Sequence, residues 1–140
     1  MLSCGPDQMV PVPGFDPEVR ERLGYFQLEF GDTMVIDVID SFITDTDHRL
    51  SGLRQLIENS DFKNLVREAH ALRGSYGNMG AIKMSNLCLS LEDHGRAGSY
   101  EVAGIVEELK QTFLQLRPAL ELHKLSLIES EISSSQVEES

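Results

Sequence analysis

Apolar residues recur at spacings of three and four along most of the chain, which is the period of an amphipathic α-helix. The longest such pattern runs from Asp32 or Thr33 to about Glu58, and glycine, asparagine and serine residues separate the patterned stretches. The period of two that marks a half-buried strand is weak throughout. Amphipathic helices joined by short connections predict an all-α fold, an antiparallel four-helix bundle preceded by a short N-terminal lead-in helix.

Capping residues and glycines set the limits of the predicted helices. The lead-in helix starts at Asp16-Pro17-Glu18, where an N-cap acid precedes a proline that needs no backbone donor, and it ends at Gly31. Its apolar stripe consists of Leu23, Phe26 and Phe30. The three helices after the long one are predicted over about 62–78, 81–95 and 102–120. Pro118 is expected to kink or shorten the last of them.

The two ends of the chain lack this pattern. Residues 1–14 hold three prolines and no periodic apolar positions, so an irregular segment is expected. Residues 125–140 are rich in serine and glutamate and are expected to form an acidic, disordered tail, although Leu127, Ile128 and Ile132 could extend the last helix. The bundle domain is therefore predicted at residues 15–124.

The charge of the chain argues against some classes of partner. At a formal net charge of −11 over 140 residues, the chain lacks the basic surface that phosphate neutralisation requires, so no nucleic-acid binding is expected. No apolar run is long enough for a membrane span, and the N-terminus has no signal-peptide pattern, so a cytoplasmic protein is expected. Residues 63–96 differ from the rest, since five cations against three anions give a net +2.

His70 lies in this cationic segment, on the third predicted helix. At about 100° per residue, the core-facing stripe of that helix contains Phe62, Leu65, Ala69, Leu72 and Tyr76. His70 points about 120° away from the centre of this stripe, too far to belong to the core. Its outward face also carries Lys63, Arg67 and Gly74, flanked by Val66, Arg73 and Gly77. The sequence therefore predicts a solvent-exposed histidine in cationic surroundings.

Gly74 stands inside the predicted helix, where a glycine costs about 1 kcal/mol relative to alanine. A position without a side chain beside His70 would let another molecule approach closely. The alternative is that the helix ends early and that Gly74, Gly77 and Gly80 lie in a loop. The continued spacing of Leu72, Tyr76 and Met79 favours the helix.

An exposed neutral imidazole is a nucleophile near neutral pH. Phosphoryl transfer asks mainly for positioning and charge stabilisation, which Arg73 and Arg67 can supply beside His70. The chain has no GxxxxGK[ST] loop, no kinase-like glycine loop and no residue spacing suited to a metal site. We therefore expect a phosphocarrier without kinase activity of its own and without a cofactor, served by a partner that provides the phosphoryl donor and the metal.

The residues around His70 resemble the histidine-containing phosphotransfer (Hpt) domain family. The family signature reads approximately H-x-L-K-G-S-S-x-x-x-G-A, followed by C-x-x-L-[EQ]-x-x-x-R. The matching residues are His70, Leu72, Arg73, Gly74, Ser75, Gly80, Ala81, Cys88, Leu91, Glu92 and Arg96. The pattern of Phe42, Leu50 and Leu53 extends the resemblance to roughly residues 16–122. Arg73 replaces the usual lysine, and Tyr76 replaces a small residue.

This resemblance implies that His70 is phosphorylated on Nε2 and exchanges its phosphoryl group with aspartates of receiver domains, which hold the Mg²⁺. The partner would be the receiver domain of a hybrid sensor histidine kinase, a response regulator, or both, with the chain itself a monomer. Arg73 would take the place of the lysine near the phosphate, and Glu92 would orient the imidazole or a water. The residues expected to contact the receiver are Val66, Arg67, Gly74, Ser75, Gly77, Glu92 and Arg96.

Two other functions remain open from the residues alone. One is a non-catalytic helical bundle that docks a receiver or kinase domain through the same surface without being phosphorylated. The other is a hydrolase or transferase that uses His70 as a general base, which would need a concave pocket and a second polar group aimed at the ring. The predicted helix face is convex, which favours the relay.

Other residues have simpler interpretations. The acids Asp37, Asp40, Asp45 and Asp47 are most simply a solvated helix face. The methionines Met34, Met79 and Met84 are interpreted as packing residues, and His123 as a residue near the end of the last helix.

Overall fold

The computed structural model describes the backbone of residues 15–139 and the side chains of residues 15–132. The helices are α1 (Pro17–Phe30), α2 (Asp32–Glu58), α3 (Phe62–Asn78), α4 (Ile82–Arg96) and α5 (Val102–Glu139). The described backbone contains no strand, so the all-α prediction is confirmed. The irregular segment predicted at residues 1–14 lies outside the described residues. Within residues 15–139, no helix combines the length and the apolarity needed to cross a membrane.

Local signals determine where the first helices begin and end. Asp16 caps α1, because its Oδ1 accepts a hydrogen bond from the backbone N–H of Glu18 at 3.0 Å, and Pro17 takes the first helical position. Asp61 caps α3, accepting from the backbone N–H of Asn64 at 3.3 Å. These capping residues satisfy backbone donors that the first turn of a helix leaves unpaired.

Gly80 forms the turn between α3 and α4 at the point where α1 touches it. Its φ is +81°, and a Cβ at this position would lie 2.5 Å from the carbonyl oxygen of Glu18. Glycine alone permits both the left-handed backbone and this close approach. The start of α1 therefore packs directly on the turn, and Val19 and Leu23 are buried in the core.

α2 and α5 run in opposite directions. Three ion pairs join α2 to α5, and as the residue number rises along α2 it falls along α5. These pairs are Asp40–Lys124 at 2.7 Å, Asp47–Arg117 at 3.1 Å and Arg54–Glu107 at 3.4 Å. Two acids of α2, Asp40 and Asp47, therefore form ion pairs with α5. The sequence pattern alone suggests a merely solvated face.

The core-facing side of α3 fixes the direction of its outer side. Leu65, Ala69, Leu72 and Tyr76 are buried, as the sequence predicts, and Phe62 is partly buried. The Tyr76 hydroxyl donates a hydrogen bond to Thr46 Oγ1 at 3.4 Å, and its ring meets Phe42 edge-on at 5.7 Å. Because each buried leucine contributes about 1.5–3 kcal/mol, rotation of α3 about its axis is strongly disfavoured.

α5 is longer than its sequence pattern predicts. The helix passes through Pro118 and continues to Glu139, so the segment expected to be disordered from residue 125 is helical up to that residue. Leu127 is buried in the core, and the Thr33 hydroxyl donates a hydrogen bond to Glu131 at 3.3 Å. Contacts with the rest of the fold therefore stabilise turns that their composition does not favour.

The corner between α1 and α2 carries apolar side chains that the sequence pattern assigns to the core. Phe26 packs partly against the core, but Phe30 is 61% exposed and Met34 is 44% exposed. The predictions that Phe30 lies in the core stripe and that Met34 is a packing residue are therefore wrong. Met84 is fully buried, as expected. The apolar stripe of α1 leaves the core in the last turn of the helix, because its buried contacts are made by the first two turns.

His123 lies on α5 beside the start of α1. Its ring centroid is 5.8 Å from that of Phe15, and among the described residues its buried Nε2 has no hydrogen-bond partner. Burial lowers the pKa of His123 below its ordinary value, the charge of Arg20 lowers it further, and Asp32 opposes the shift. The folded state therefore favours the neutral ring.

We predict that acidification from pH about 7.5 to about 5 destabilises the wild-type protein more than the His123→Phe variant. The pKa of His123 is lower in the folded than in the unfolded state, so the unfolded state binds the proton first. Stability is therefore lost as the pH falls below about 6.5 and through the lowered value. Urea unfolding at both pH values measures the difference.

The control for this prediction is His48→Gln, in which an exposed histidine is replaced. It should keep the pH dependence of the wild-type protein. If His123→Phe lost as much stability as the wild type on acidification, the buried ring would not be the acid-sensitive group.

Candidate functional site

His70 projects from the side of α3 that faces away from the core. Its neighbour Ala69 is fully buried, whereas 64% of the His70 side chain is exposed. The predicted exposure is confirmed. α3 continues as a helix through Gly74 to Asn78, which rules out the alternative that Gly74 lies in a loop.

Glu92 reaches His70 from α4. Only 2% of the Glu92 side chain is exposed, and its Oε1 lies 3.1 Å from Nδ1 of His70. A carboxylate can only accept a hydrogen bond, so this contact requires the ring proton on Nδ1. When the ring is neutral, the lone pair is then on Nε2, the nitrogen on the far side of the ring.

Two arginines share the same carboxylate. Arg96, one turn further along α4, donates from Nη2 to Glu92 Oε1 at 2.9 Å. Arg73 places its Nε 3.1 Å from Oε2, which is ion-pair distance. Its N–H is not directed at that oxygen, and Oε2 has no hydrogen bond within the described part of the chain. Oε1 of Glu92 therefore accepts two hydrogen bonds, whereas Oε2 interacts only with the charge of Arg73.

The charge of Glu92 is stabilised by these neighbours. Burial pushes the pKa of Glu92 upward, but the hydrogen bonds from His70 and Arg96 and the charge of Arg73 outweigh it, and the pKa lies below its ordinary value. Glu92 is therefore an anion at neutral pH. With a neutral His70 ring, the cluster of two arginines and one carboxylate carries a net charge of +1.

Arg73 also touches the imidazole. Its Nη2 lies 3.2 Å from Nδ1 of His70, the nitrogen that donates to Glu92. A protonated Nδ1 cannot accept a hydrogen bond, so the ring can make only one of these two hydrogen bonds at a time. The negative charge of Glu92 favours the one between Nδ1 and Glu92. Arg73 is nevertheless within reach of any anion bound to this ring, which is where the sequence predicts a phosphate-stabilising cation.

The surface beside His70 is open. A Cβ added to Gly74 would meet nothing within 4 Å, and one added to Gly77 would only contact Ser85 Oγ at 3.6 Å. Arg67 is exposed one turn before His70, and Val66 is half-buried against α4. These residues therefore lie on the same side of α3 as His70. Glu92, which is also expected to contact the receiver, is too buried to do so directly.

Ser75 is not part of this surface. It lies about 140° around the helix from His70 and lines an open groove of about 960 Å³ between α2 and α3. The apolar part of the groove is formed by Met34, Val38, Phe42, Tyr76 and Met79. The sequence pattern misses this groove, since it assigns Met34 and Met79 to packing.

Cys88 lies beneath the site, one turn before Glu92 on α4, and is fully buried. Burial raises the pKa of Cys88 to about 12, with the negative charge of Glu92 adding to the shift and Arg73 opposing it. The thiol is therefore a packing group. Among the described residues, no group of three or more His, Cys, Asp or Glu side chains is placed to hold a metal ion.

Comparison with known families identifies this arrangement. The family model described as Hpt domain matches residues 37–126. The chain belongs to the Hpt domain family. Its fold resembles the crystal structure of histidine-containing phosphotransfer protein B (HptB) from Pseudomonas aeruginosa PAO1, with 25% identity, a TM-score of 0.73, and coverage of 83% of this chain and 98% of that chain. No curated protein sequence matches.

The family match contains every residue of the cluster around His70, so the resemblance read from the sequence motif is confirmed. Members of the Hpt family are phosphocarriers in phosphorelays. In this Hpt domain α1 and the last turns of α5 lie outside the matched residues.

Gly95 shows how closely α3 and α4 pack behind the site. A Cβ at Gly95 would lie 2.8 Å from Val66 Cγ2, and a valine side chain is stiff at χ1. We predict that Gly95→Ala is less stable than Gly74→Ala by about 1–3 kcal/mol, because overpacking forces side chains or backbone to shift. Gly74→Ala should itself stabilise the helix by up to about 1 kcal/mol.

Denaturant unfolding of the two variants beside the wild-type Hpt domain measures this difference. Equal stabilisation by both alanines would show that the two helices have more room at Gly95 than the contact implies.

Proposed function

We propose that this Hpt domain relays a phosphoryl group between receiver-domain aspartates through phosphorylation of His70 on Nε2. The observation that carries the proposal is the exposed imidazole whose Nδ1 is engaged by the buried carboxylate of Glu92. This arrangement aims an unprotonated Nε2 at solvent, where a partner domain can reach it. The family match and the likeness to a histidine-containing phosphotransfer protein support the same function.

In the proposed loading step, Nε2 attacks the phosphorus of an aspartyl phosphate in a receiver domain. Mg²⁺ held by the receiver neutralises phosphate oxygens, and Arg73 and Arg67 add positive charge from this side of the interface. The sequence has no nucleotide-binding loop. We therefore assign this chain the role of a carrier that depends on its partner for the phosphoryl donor and the metal. No cofactor of its own is required.

The proposed docking surface is the outer face of α3 around His70. Val66, Arg67, Gly74 and Gly77 form its centre, and Arg96 lies at the edge formed by α4. The groove between α2 and α3, which Ser75 lines, provides an adjoining apolar area. A receiver domain of a hybrid sensor histidine kinase or of a response regulator would cover this surface in the cytoplasm, one receiver at a time on a monomeric Hpt domain.

The first test is phosphotransfer from a panel of phosphorylated receiver domains to the wild-type protein and to His70→Gln. We expect acid-labile phosphate on the wild-type protein and none on His70→Gln, because glutamine keeps polarity but offers no nucleophilic nitrogen. Phosphate that still accumulates on His70→Gln would overturn the assignment. Receiver binding without any phosphate transfer to the wild type would favour the non-catalytic docking module instead.

The second test concerns the open position at Gly74. We predict that Gly74→Gln lowers the rate of phosphotransfer at least about ten-fold, because a long side chain fills the space into which the receiver must move, at a cost of about 1.4 kcal/mol or more. Circular dichroism should show an unchanged fold, since nothing lies within 4 Å of the added Cβ.

The matched control is Gly104→Gln on α5, another exposed helical glycine whose added Cβ meets nothing within 4 Å. It should transfer phosphate at the wild-type rate. If Gly74→Gln also did so, close approach of the receiver at this position would be excluded.

A further inference from the structure

Glu92 meets His70 with a full negative charge, although a neutral amide of the same shape could accept the same hydrogen bond. Its side chain is only 2% exposed, and burying an ion is unfavourable unless its charge is compensated. Orientation of the ring alone does not require a carboxylate here. The charge adds a preference for a ring that is itself positively charged.

Building on the relay proposed above, we propose that Glu92 keeps a proton on Nδ1 of His70 while Nε2 carries the phosphoryl group. The phosphorylated ring then remains a phosphoimidazolium, the form from which the phosphoryl group is most easily transferred. Glu92 is in this sense a positioning residue for a proton, since it acts through the ring and does not touch the phosphate.

The bonds and protons of the relay balance without any proton transfer. In the loading step the Nε2 lone pair forms the N–P bond, the P–O bond of the aspartyl phosphate breaks, and its electron pair stays on the receiver's carboxylate. In the delivery step a second carboxylate forms a P–O bond, the N–P bond breaks, and the electron pair returns to Nε2. The ring starts and ends neutral with the same proton on Nδ1.

Loss of this proton would interrupt the cycle. A neutral phosphoimidazole would have to leave as an anionic ring or first take up a proton from water, and both routes raise the barrier to delivery. The carboxylate oxygen of Glu92 lies 3.1 Å from Nδ1, and burial strengthens its attraction for a cationic ring. Glu92 therefore holds the proton where the reaction needs it.

The other charged groups that face the ring are mostly cations. Arg73 lies 3.2 Å from Nδ1, Arg67 shares the outward face of α3, and Arg96 is shared between Glu92 and the exposed Asp93. These arginines partly neutralise Glu92 before phosphorylation. An arriving phosphoryl dianion competes for Arg73, whose side chain is 37% exposed, and so leaves more of the carboxylate's charge for the ring.

The experiment loads the wild-type protein, Glu92→Gln and Glu92→Asp with phosphoramidate, a small-molecule donor that needs no receiver. Delivery to a Mg²⁺-loaded receiver and spontaneous hydrolysis are then followed from about pH 5 to about pH 9. We expect the rates to fall above a midpoint that lies at least about one pH unit lower in Glu92→Gln than in the wild type. At pH values above both midpoints, a shift of one pH unit makes delivery from Glu92→Gln about ten-fold slower than delivery from the wild-type protein. At low pH the two proteins should converge, and Glu92→Asp should restore part of the shift.

The control is Asp93→Asn, which removes one negative charge from the same helix at a side chain 65% exposed and paired with Arg96. It should keep the wild-type midpoint. A lower transfer rate with an unchanged midpoint in Glu92→Gln would mean that Glu92 is merely structural, and the inference would be overturned.

A measurement on the wild-type protein alone covers the case in which Glu92→Gln does not fold. The ¹⁵N chemical shift of the His70 ring, followed against pH after phosphoramidate loading, reports when Nδ1 loses its proton. Loss at a higher pH than in phosphorylated N-acetylhistidine supports the inference, and loss at the same or a lower pH overturns it. Failure of every receiver to phosphorylate the wild type would instead refute the relay, so the two failures are distinguishable.

Discussion

The buried carboxylate of Glu92 connects α3 and α4 at the candidate site. His70 and Arg73 come from one helix and Arg96 from the other, and each has a nitrogen within 3.1 Å of a Glu92 carboxylate oxygen. Because the carboxylate of Glu92 is buried, loss of the charges that compensate it would be unfavourable. The four side chains therefore constrain one another, and the position of the imidazole depends on the packing of two helices as much as on the helix that carries it.

Much of the fold is predictable from the sequence because its signals are local. The predicted limits of α3 agree with Phe62–Asn78, since Asp61 caps its start and a glycine turn follows its end. The last turns of α5 are different. Their serine and glutamate content favours disorder, whereas the burial of Leu127 and the hydrogen bond from Thr33 to Glu131 stabilise the helix between residues 125 and 131.

The candidate site is predictable in part for the same reason. Helical arithmetic on α3 places His70, Arg67 and Gly74 on one outward face, and the structure agrees. Helical arithmetic cannot reveal that Arg73 meets a carboxylate on another helix, because that contact depends on how α3 and α4 align. The spacing of four residues between Glu92 and Arg96 permits an ion pair within one helix. The expectation that Glu92 orients the imidazole came from the resemblance to the Hpt family and not from this spacing. Ser75, which the motif places next to the site, faces the groove instead.

The burial of Cys88 bears on how this Hpt domain responds to oxidants. Thiol oxidation and disulfide exchange proceed through the thiolate, and a pKa of about 12 leaves almost none of it at physiological pH. Cys88, the free cysteine among the described residues, is thus unreactive towards oxidants. The packing that buries Glu92 also keeps this thiol out of disulfide exchange.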